Sequence, residues 1–241
     1  MKPPIYEPRG KAKEYGDLAL NIYTGCPHRC YYCFAPGVLH KEREAFHSHV
    51  EPRPGIVEEV RKQLEKEQIT GKLIHLCFTC DPYPTGADNS ATREIIKLLK
   101  EHGNHVQILT KGDGRRDFDL LDENDWYGIT ISTADNNLAE IAELRAIDPA
   151  ARLMGLLLAK KKGIKTWVSF EPVIDVDSVL SMIGQYYQAF DKVKIGKLNY
   201  HPSDIDWAAF GREAEALCET LGLDYYIKDS LRAEMERKNE N

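Results

Sequence analysis

Three cysteines within eight residues are the most chemically distinctive feature of this sequence. Cys26, Cys30 and Cys33 have the spacing C-x3-C-x2-C and follow a predicted strand. Three closely spaced thiolates can bind three irons of a cubane [4Fe-4S] cluster and leave the fourth iron open to a substrate. A zinc site would need a fourth Cys or His at ligand spacing, and a disulfide cannot pair three cysteines evenly. The spacing therefore favours an iron–sulfur site.

Further polar residues come at the ends of the later predicted strands. They are Thr79, Cys80 and Asp81 after the second strand, Lys111 after the third, Ser132 at the end of the fourth and Glu171 at the end of the fifth. In barrels of parallel strands, the carboxyl ends of the strands meet at the catalytic face. We therefore expect these side chains to surround one site together with the three cysteines.

Hydrophobic patterning predicts six strands that alternate with helices. Strands are expected at 18–23, 73–78, 105–109, 127–132, 165–170 and 192–196, and helices at 56–68, 90–101, 117–121, 149–162, 176–188 and 204–221. This alternation requires a parallel sheet with right-handed crossovers. It predicts an α/β fold, a partial (β/α)6 TIM-type barrel in a single domain. A doubly wound sheet is the alternative, but the first βα loop lacks a G-x-G-x-x-G pattern.

The expected domain organisation is an irregular N-terminal lead-in at 1–17, the barrel domain at 18–228 and a C-terminal tail at 229–241. Hydrophobic residues at 42% and charged residues at 29% are ordinary for a globular protein. No apolar stretch approaches the roughly 20 residues of a membrane span, and no apolar secretory segment follows Met1. We therefore expect a cytoplasmic protein that does not contact a membrane. Its six cysteines are then better explained as ligands, catalysts or buried thiols than as disulfides.

The order of the motifs resembles the spore photoproduct lyase-like branch of the radical S-adenosylmethionine superfamily, also labelled DNA repair photolyase-related. The resemblance covers about residues 18–200 and consists of C-x3-C-x2-C-F, T-C-D-P-Y at 79–83, I-L-T-K at 108–111, I-T-I-S at 129–132 and F-E-P-V-I at 170–174. It implies a [4Fe-4S] cluster and S-adenosylmethionine, which is cleaved reductively to a 5′-deoxyadenosyl radical that abstracts hydrogen from a substrate.

The resemblance also implies roles for individual residues. Cys26, Cys30 and Cys33 would bind cluster irons, Phe34 would lie beside the adenine, and Lys111 would pair with the methionine carboxylate. The remaining cofactor contacts would come from Thr79, Asp81, Ser132 and Glu171. The Gly-Gly-Glu signature of the superfamily is absent, and Asp81 could instead form an Asx turn before Pro82.

A second cysteine pair lies at the end of the predicted second strand. Spore photoproduct lyases use a further cysteine near this region as a hydrogen-atom donor, and Cys80 is the predicted donor because it is nearer the strand end than Cys77. The alternative is that both are small buried residues. In a regular strand they would point to opposite faces and could not jointly bind a metal.

The predicted substrate is a nucleobase or nucleic acid, although the net charge of −6 argues against strong nonspecific binding to a polyphosphate. A radical enzyme acting on a small molecule or peptide is the first alternative, and an iron–sulfur electron-transfer protein is the second. The expected partners are S-adenosylmethionine, an electron donor such as flavodoxin or ferredoxin, and a nucleic acid or nucleoside. Base stacking could involve Tyr31, Tyr32, Phe34, Tyr83 and Tyr200.

Overall fold

The computed structural model describes residues 3–237 and is built around an eight-stranded sheet. The strands are β1 (Ile5–Tyr6), β2 (Leu18–Leu20), β3 (Leu73–Leu76), β4 (His105–Thr110), β5 (Trp126–Thr130), β6 (Lys165–Phe170), β7 (Lys192–Ile195) and β8 (Tyr225–Ile227). Each strand pairs with its neighbour in chain order; β1 is antiparallel to β2, and the others are mutually parallel. The predicted α/β fold with a partial TIM-type barrel in one domain is confirmed.

Helices connect the parallel strands. They are α1 (Ala35–Val38), α2 (Arg43–Ser48), α3 (Ile56–Glu67), α4 (Ser90–Glu101), α5 (Asn136–Ala142), α6 (Pro149–Lys161), α7 (Val176–Tyr186), α8 (Trp207–Leu221) and α9 (Asp229–Glu236). Side-chain caps explain several of the starts: Asp148 accepts from the Ala151 amide at 2.8 Å and precedes Pro149 at the first helical position. Within residues 3–237, no helix is long and apolar enough to cross a membrane.

All six expected strands are present, but β1 and β8 were not predicted. They have two and three residues, too few for a period, and β1 is held by Gln63, which bonds the Ile5 amide at 2.8 Å and the Ile5 carbonyl at 2.9 Å. The helix expected at 117–121 is wrong, since that region has only a 3₁₀ turn at Arg115–Asp117. There the Asp117 carboxylate is buried and binds Arg93 and Arg116.

The domain limits stay a prediction. The expected lead-in contains β1 and a 3₁₀ helix at Gly10–Glu14, and the expected tail contains α9, while residues 238–241 lie outside the described part.

A tryptophan fills the middle of the sheet and sets the spacing of its neighbours. The Trp167 indole is 1% exposed and donates to the Ile108 carbonyl at 2.8 Å. A Cβ on Gly128 of the adjacent strand would lie 2.2 Å from Trp167 Nε1, so only glycine fits there. This close packing fixes β4, β5 and β6 relative to one another, and their carboxyl ends form one rigid rim.

Candidate active site

A cavity of about 520 Å³ opens at the carboxyl ends of the parallel strands. Residues at or after the end of every strand from β2 to β8 line it, including the cysteine segment after β2, the residues after β3 and Lys228 after β8. Lining residues among the predicted site are Cys26, Cys30, Cys33, Phe34, Thr79, Cys80, Asp81, Lys111 and Glu171. Nine of the ten predicted site residues thus line one cavity, and only Ser132 does not.

The cysteine segment is held by close backbone contacts. The Cys26 amide donates to the Phe46 carbonyl at 3.3 Å, and the Cys33 amide donates to the Cys30 carbonyl at 3.1 Å. A Cβ on Gly25 would lie 2.1 Å from that same Phe46 carbonyl oxygen, so the chain can enter the segment only through glycine. These contacts therefore fix the backbone of the segment that contains the three cysteines.

A guanidinium covers the outer side of this segment. Arg43 donates to the carbonyls of Cys30, Tyr31 and Cys33, the last two at 3.0 and 3.3 Å. These contacts satisfy carbonyls that the irregular backbone leaves free, and they place a positive charge beside the thiols.

The three thiols fit an iron–sulfur cluster. All three are unpaired and line the same cavity. Burial raises the pKa of Cys30 to about 12, although Lys111 acts in the opposite direction, and burial also raises the pKa values of Cys26 and Cys33. Burial thus favours the protonated form of the thiols, and iron binding would have to displace their protons.

A buried ion pair supports the cysteine segment. It was not predicted from the sequence. Glu143 and Arg152 are both about 1% exposed at their side chains and form a salt bridge. Glu143 also accepts from the Tyr32 hydroxyl, and its backbone bridges to Cys30. The only sequence signal was an arginine on the apolar face of α6, which does not reveal its partner.

Ser132 belongs to this network. Its side chain is 1% exposed, donates to Glu143 Oε1 at 2.8 Å and does not line the cavity. A direct contact between Ser132 and a cofactor stays a prediction; the observed contact is with the carboxylate that supports the cysteine segment.

Lys111 follows β4 and reaches the cavity beside the cysteines. Its ammonium lies 5.5 Å from the centroid of the Tyr32 ring, and no carboxylate of residues 3–237 forms a salt bridge with it. Burial lowers its pKa, but the nearby Cys30 and Glu143 outweigh that effect and raise the pKa of Lys111 overall. The side chain is thus a charged donor available to an anionic ligand.

Asp81 organises the turn after β3. It accepts from the Thr110 hydroxyl at 2.5 Å, the Lys111 amide at 2.9 Å and the Tyr83 amide at 2.8 Å. The last bond is the Asx turn considered as an alternative. Asp81 therefore joins the ends of β3 and β4 and also borders the cavity.

Glu171, Thr79 and Phe34 occupy different parts of the wall. Glu171 accepts from the Tyr15 hydroxyl at 2.7 Å and lies 3.3 Å from the Lys228 ammonium, so internal partners already hold it. The Thr79 amide donates to Asn21 at 2.9 Å, and the Phe34 ring is 49% exposed at the mouth. Tyr83, which was considered for base stacking, is buried at 1% exposure against the glycines that follow β4.

The chain bends directly after β3 and changes the expected geometry of the second cysteine pair. The strand ends at Leu76, and Cys77 has a left-handed φ of 69°. Burial and the neighbouring Cys80 raise the pKa of Cys77. The expectation of opposite faces applied to a regular strand, and that condition is not met, because the strand ends before Cys77.

A sequence model of the radical SAM superfamily matches residues 20–176. Among similar curated proteins is the uncharacterised protein ORF301 of Acidianus two-tailed virus, 29% identical over 205 residues, which are 74% of this chain and 66% of the viral protein. The uncharacterised protein MJ0683 of Methanocaldococcus jannaschii is 27% identical over 210 residues, 81% of this chain and 77% of that protein. The chain thus spans slightly less than two thirds of the viral relative.

Solved structures share the fold at low sequence identity. A mutant of spore photoproduct lyase gives a TM-score of 0.68 at 12% identity and covers 92% of this chain and 79% of that chain. SuiB of Streptococcus suis bound to S-adenosylmethionine gives 0.65 at 12% identity, with 90% of this chain and 52% of that chain covered. At such identity the likeness concerns the architecture.

Proposed function

The chain belongs to the radical SAM superfamily and is a radical SAM enzyme, and from this premise we propose that it abstracts hydrogen from a nucleobase or nucleic-acid-type substrate. The observation that carries the proposal is that Cys26, Cys30, Cys33 and Lys111 line one cavity at the strand ends. Membership of the superfamily implies a [4Fe-4S] cluster and S-adenosylmethionine. A finer assignment to the spore photoproduct lyase-like branch is part of the proposal.

The three cysteines would hold the cluster, and the open side of the cavity would receive S-adenosylmethionine. When bound, these groups would supply an electron and a 5′-deoxyadenosyl radical, and the radical would remove a hydrogen atom from a substrate. Lys111 would bind the methionine carboxylate, Phe34 would lie against the adenine, and Thr79, Asp81, Ser132 and Glu171 are proposed as further cofactor contacts. The electron would come from a protein of the flavodoxin or ferredoxin class.

The charge of the cavity supports an anionic, aromatic substrate. Its wall contains five basic side chains, Arg9, Lys11, Lys111, Lys197 and Lys228, and two carboxylates, Asp81 and Glu171. Lys197 and Lys228 form salt bridges with Glu234, Glu14 and Glu171. The positive charge available to a substrate is therefore that of Arg9, Lys11 and Lys111. Lys11 lies 5.1 Å from the centroid of the Tyr200 ring, which is 78% exposed at the mouth. A phosphate and a base could bind to such a pair by charge and by stacking.

The test of this function is an anaerobic assay of reconstituted, reduced protein with S-adenosylmethionine. We expect slow formation of 5′-deoxyadenosine without substrate and faster formation when single-stranded oligonucleotides are added. Deuterated nucleosides should transfer deuterium into 5′-deoxyadenosine. Stimulation by peptides and not by oligonucleotides would instead favour the peptide alternative.

We expect Lys111→Ala to weaken the binding of S-adenosylmethionine by at least about tenfold, because the methionine carboxylate would lose its charged partner. The measurement is the Kd of the reconstituted, unreduced protein. Iron content should be unchanged, since Lys111 is not a ligand of the cluster. Lys162→Ala is the control because this lysine is exposed at the end of α6. Equal affinities in both variants would remove Lys111 from the cofactor site.

We propose that Cys80 returns a hydrogen atom to the substrate radical, because a thiol has a weak S–H bond and Cys80 lines the cavity. In Cys80→Ala, cleavage of S-adenosylmethionine should continue while the normal product gives way to by-products. The comparison is made by chromatography and mass spectrometry of single-turnover reactions. Cys218→Ala serves as the control because Cys218 is buried in α8. A normal product from the Cys80 variant would show that another group is the donor.

A further inference from the structure

The turn after β3 brings two thiols together at the cavity. Cys77 adopts a φ of 69°, which few residues other than glycine tolerate easily, so the chain bends away from the strand direction at this residue. Asn21 stabilises this turn by accepting from the Phe78 and Thr79 amides at 2.8 and 2.9 Å. Asn21, which follows β2, therefore stabilises a backbone conformation after β3 that differs from that of a strand.

The two thiols of this turn differ in exposure. Cys77 is buried, whereas Cys80 is half-buried, and both border the cavity. The pKa of Cys77 is raised by burial and by the neighbouring Cys80, and the Tyr23 amide donates to Cys80 Sγ at 3.4 Å. A C-x-x-C turn whose two thiols border one cavity, with one sulfur accessible, can exchange with other disulfides.

We propose that Cys77 and Cys80 are a reversible modification site that forms an intramolecular disulfide when it reacts with a low-molecular-weight disulfide. The Cys80 thiolate attacks one sulfur of the reagent, whose S–S bond breaks and releases one thiolate. Cys77 then loses its proton as it attacks Cys80 Sγ, which breaks the mixed disulfide and releases the second thiolate. The reagent gains two electrons, the pair loses two, and the two thiol protons pass to the released thiolates.

This modification has a consequence that rests on the proposed role of Cys80. In the disulfide form, Cys80 has no S–H bond and cannot give a hydrogen atom to a substrate radical. The dithiol form would be the competent one, and the redox state of this pair would decide whether radical chemistry ends in product. The disulfide itself can be tested without any turnover, which separates the two proposals.

The test incubates the full-length, reconstituted protein anaerobically with excess oxidised glutathione and then blocks free thiols with N-ethylmaleimide. Trypsin releases residues 73–93 as one peptide, with both cysteines, because Lys72 precedes it and Arg93 ends it. In the wild type we expect this peptide to carry neither maleimide nor glutathione. Its mass should be lower than that of the dithiol peptide by 2 hydrogen atoms. The peptide 213–228, which holds Cys218, reports on general oxidation.

The Cys77→Ala variant supplies the matched comparison. Glutathione on Cys80 should be at least about tenfold more abundant in this variant than in the wild type, because the second, intramolecular thiol is missing. Stable glutathione on Cys80 in the wild type, or maleimide on both cysteines after the incubation, would overturn the proposal. Neither result depends on whether 5′-deoxyadenosine is formed, so the failure of either proposal can be recognised separately.

Discussion

Replacing Cys30 with alanine is expected to abolish the brown colour of the anaerobically reconstituted protein and the cleavage of S-adenosylmethionine. The wild type should contain about four irons and four sulfides per chain, and the variant should lose nearly all of them. Cys30 is 7% exposed and central to the C-x3-C-x2-C segment, so no other cysteine can take its place without moving the backbone that Arg43 holds.

The measurement combines iron and sulfide analysis with the visible spectrum. Cys218→Ala is the matched control, since it removes a buried thiol that lies outside the cavity. Stoichiometric zinc without iron in the wild type, or a full chromophore in the Cys30 variant, would contradict the cluster assignment. The size of the expected effect makes this the first experiment to perform.

Arg152→Ala is expected to lower the free energy of unfolding by about 3–5 kcal/mol, because it leaves the Glu143 carboxylate buried without its partner. Burial by itself raises the pKa of Glu143, but Arg152 and Lys111 outweigh this effect and the pKa is lowered overall. The carboxylate must therefore be charged in the folded protein. Chemical denaturation of the metal-free protein, with and without the substitution, gives the difference.

The exposed pair of Arg115 and Asp113 provides the control for this variant. Its side chains are 48% and 40% exposed, so Arg115→Ala should cost no more than about 1 kcal/mol. In the wild type, the contribution of Glu143 is present above its unfolded pKa and is lost as the pH falls through the lowered folded pKa. Arg152→Ala should reduce this loss at acidic pH. Equal stability of the two arginine variants would mean that the buried pair does not hold the site.

Most residues of the candidate site could be predicted from the sequence because they follow the carboxyl ends of predicted parallel strands. Cys80, Asp81 and Lys111 could be assigned because β3 and β4 have clear apolar patterns and their carboxyl ends must face the same side. Ser132 was assigned to the same edge, but its hydroxyl donates to Glu143. Hydrophobic periodicity does not show such a contact between two polar side chains eleven residues apart.

The elements that sequence reasoning missed depend on distant contacts. β1 forms because Ile5 pairs with Leu20 and its amide donates to Gln63. A strand of two residues has no sequence pattern from which these contacts could be predicted. The bend at Cys77 was missed for a similar reason, since Asn21 of another strand end stabilises it. Local patterns predicted six of the eight strands and five of the nine helices that residues 3–237 form, whereas tertiary hydrogen bonds decided where the chain bends and which polar groups meet.

The strictly sequential order of the sheet has a consequence for how the protein is made. Each parallel strand adds to the one before it, so a growing chain can pair β2 through β7 as they leave the ribosome. Lys228 follows the last strand, yet it forms a buried salt bridge with Glu14 near the beginning of the chain. We therefore expect the cofactor cavity to be complete only after translation has passed this strand.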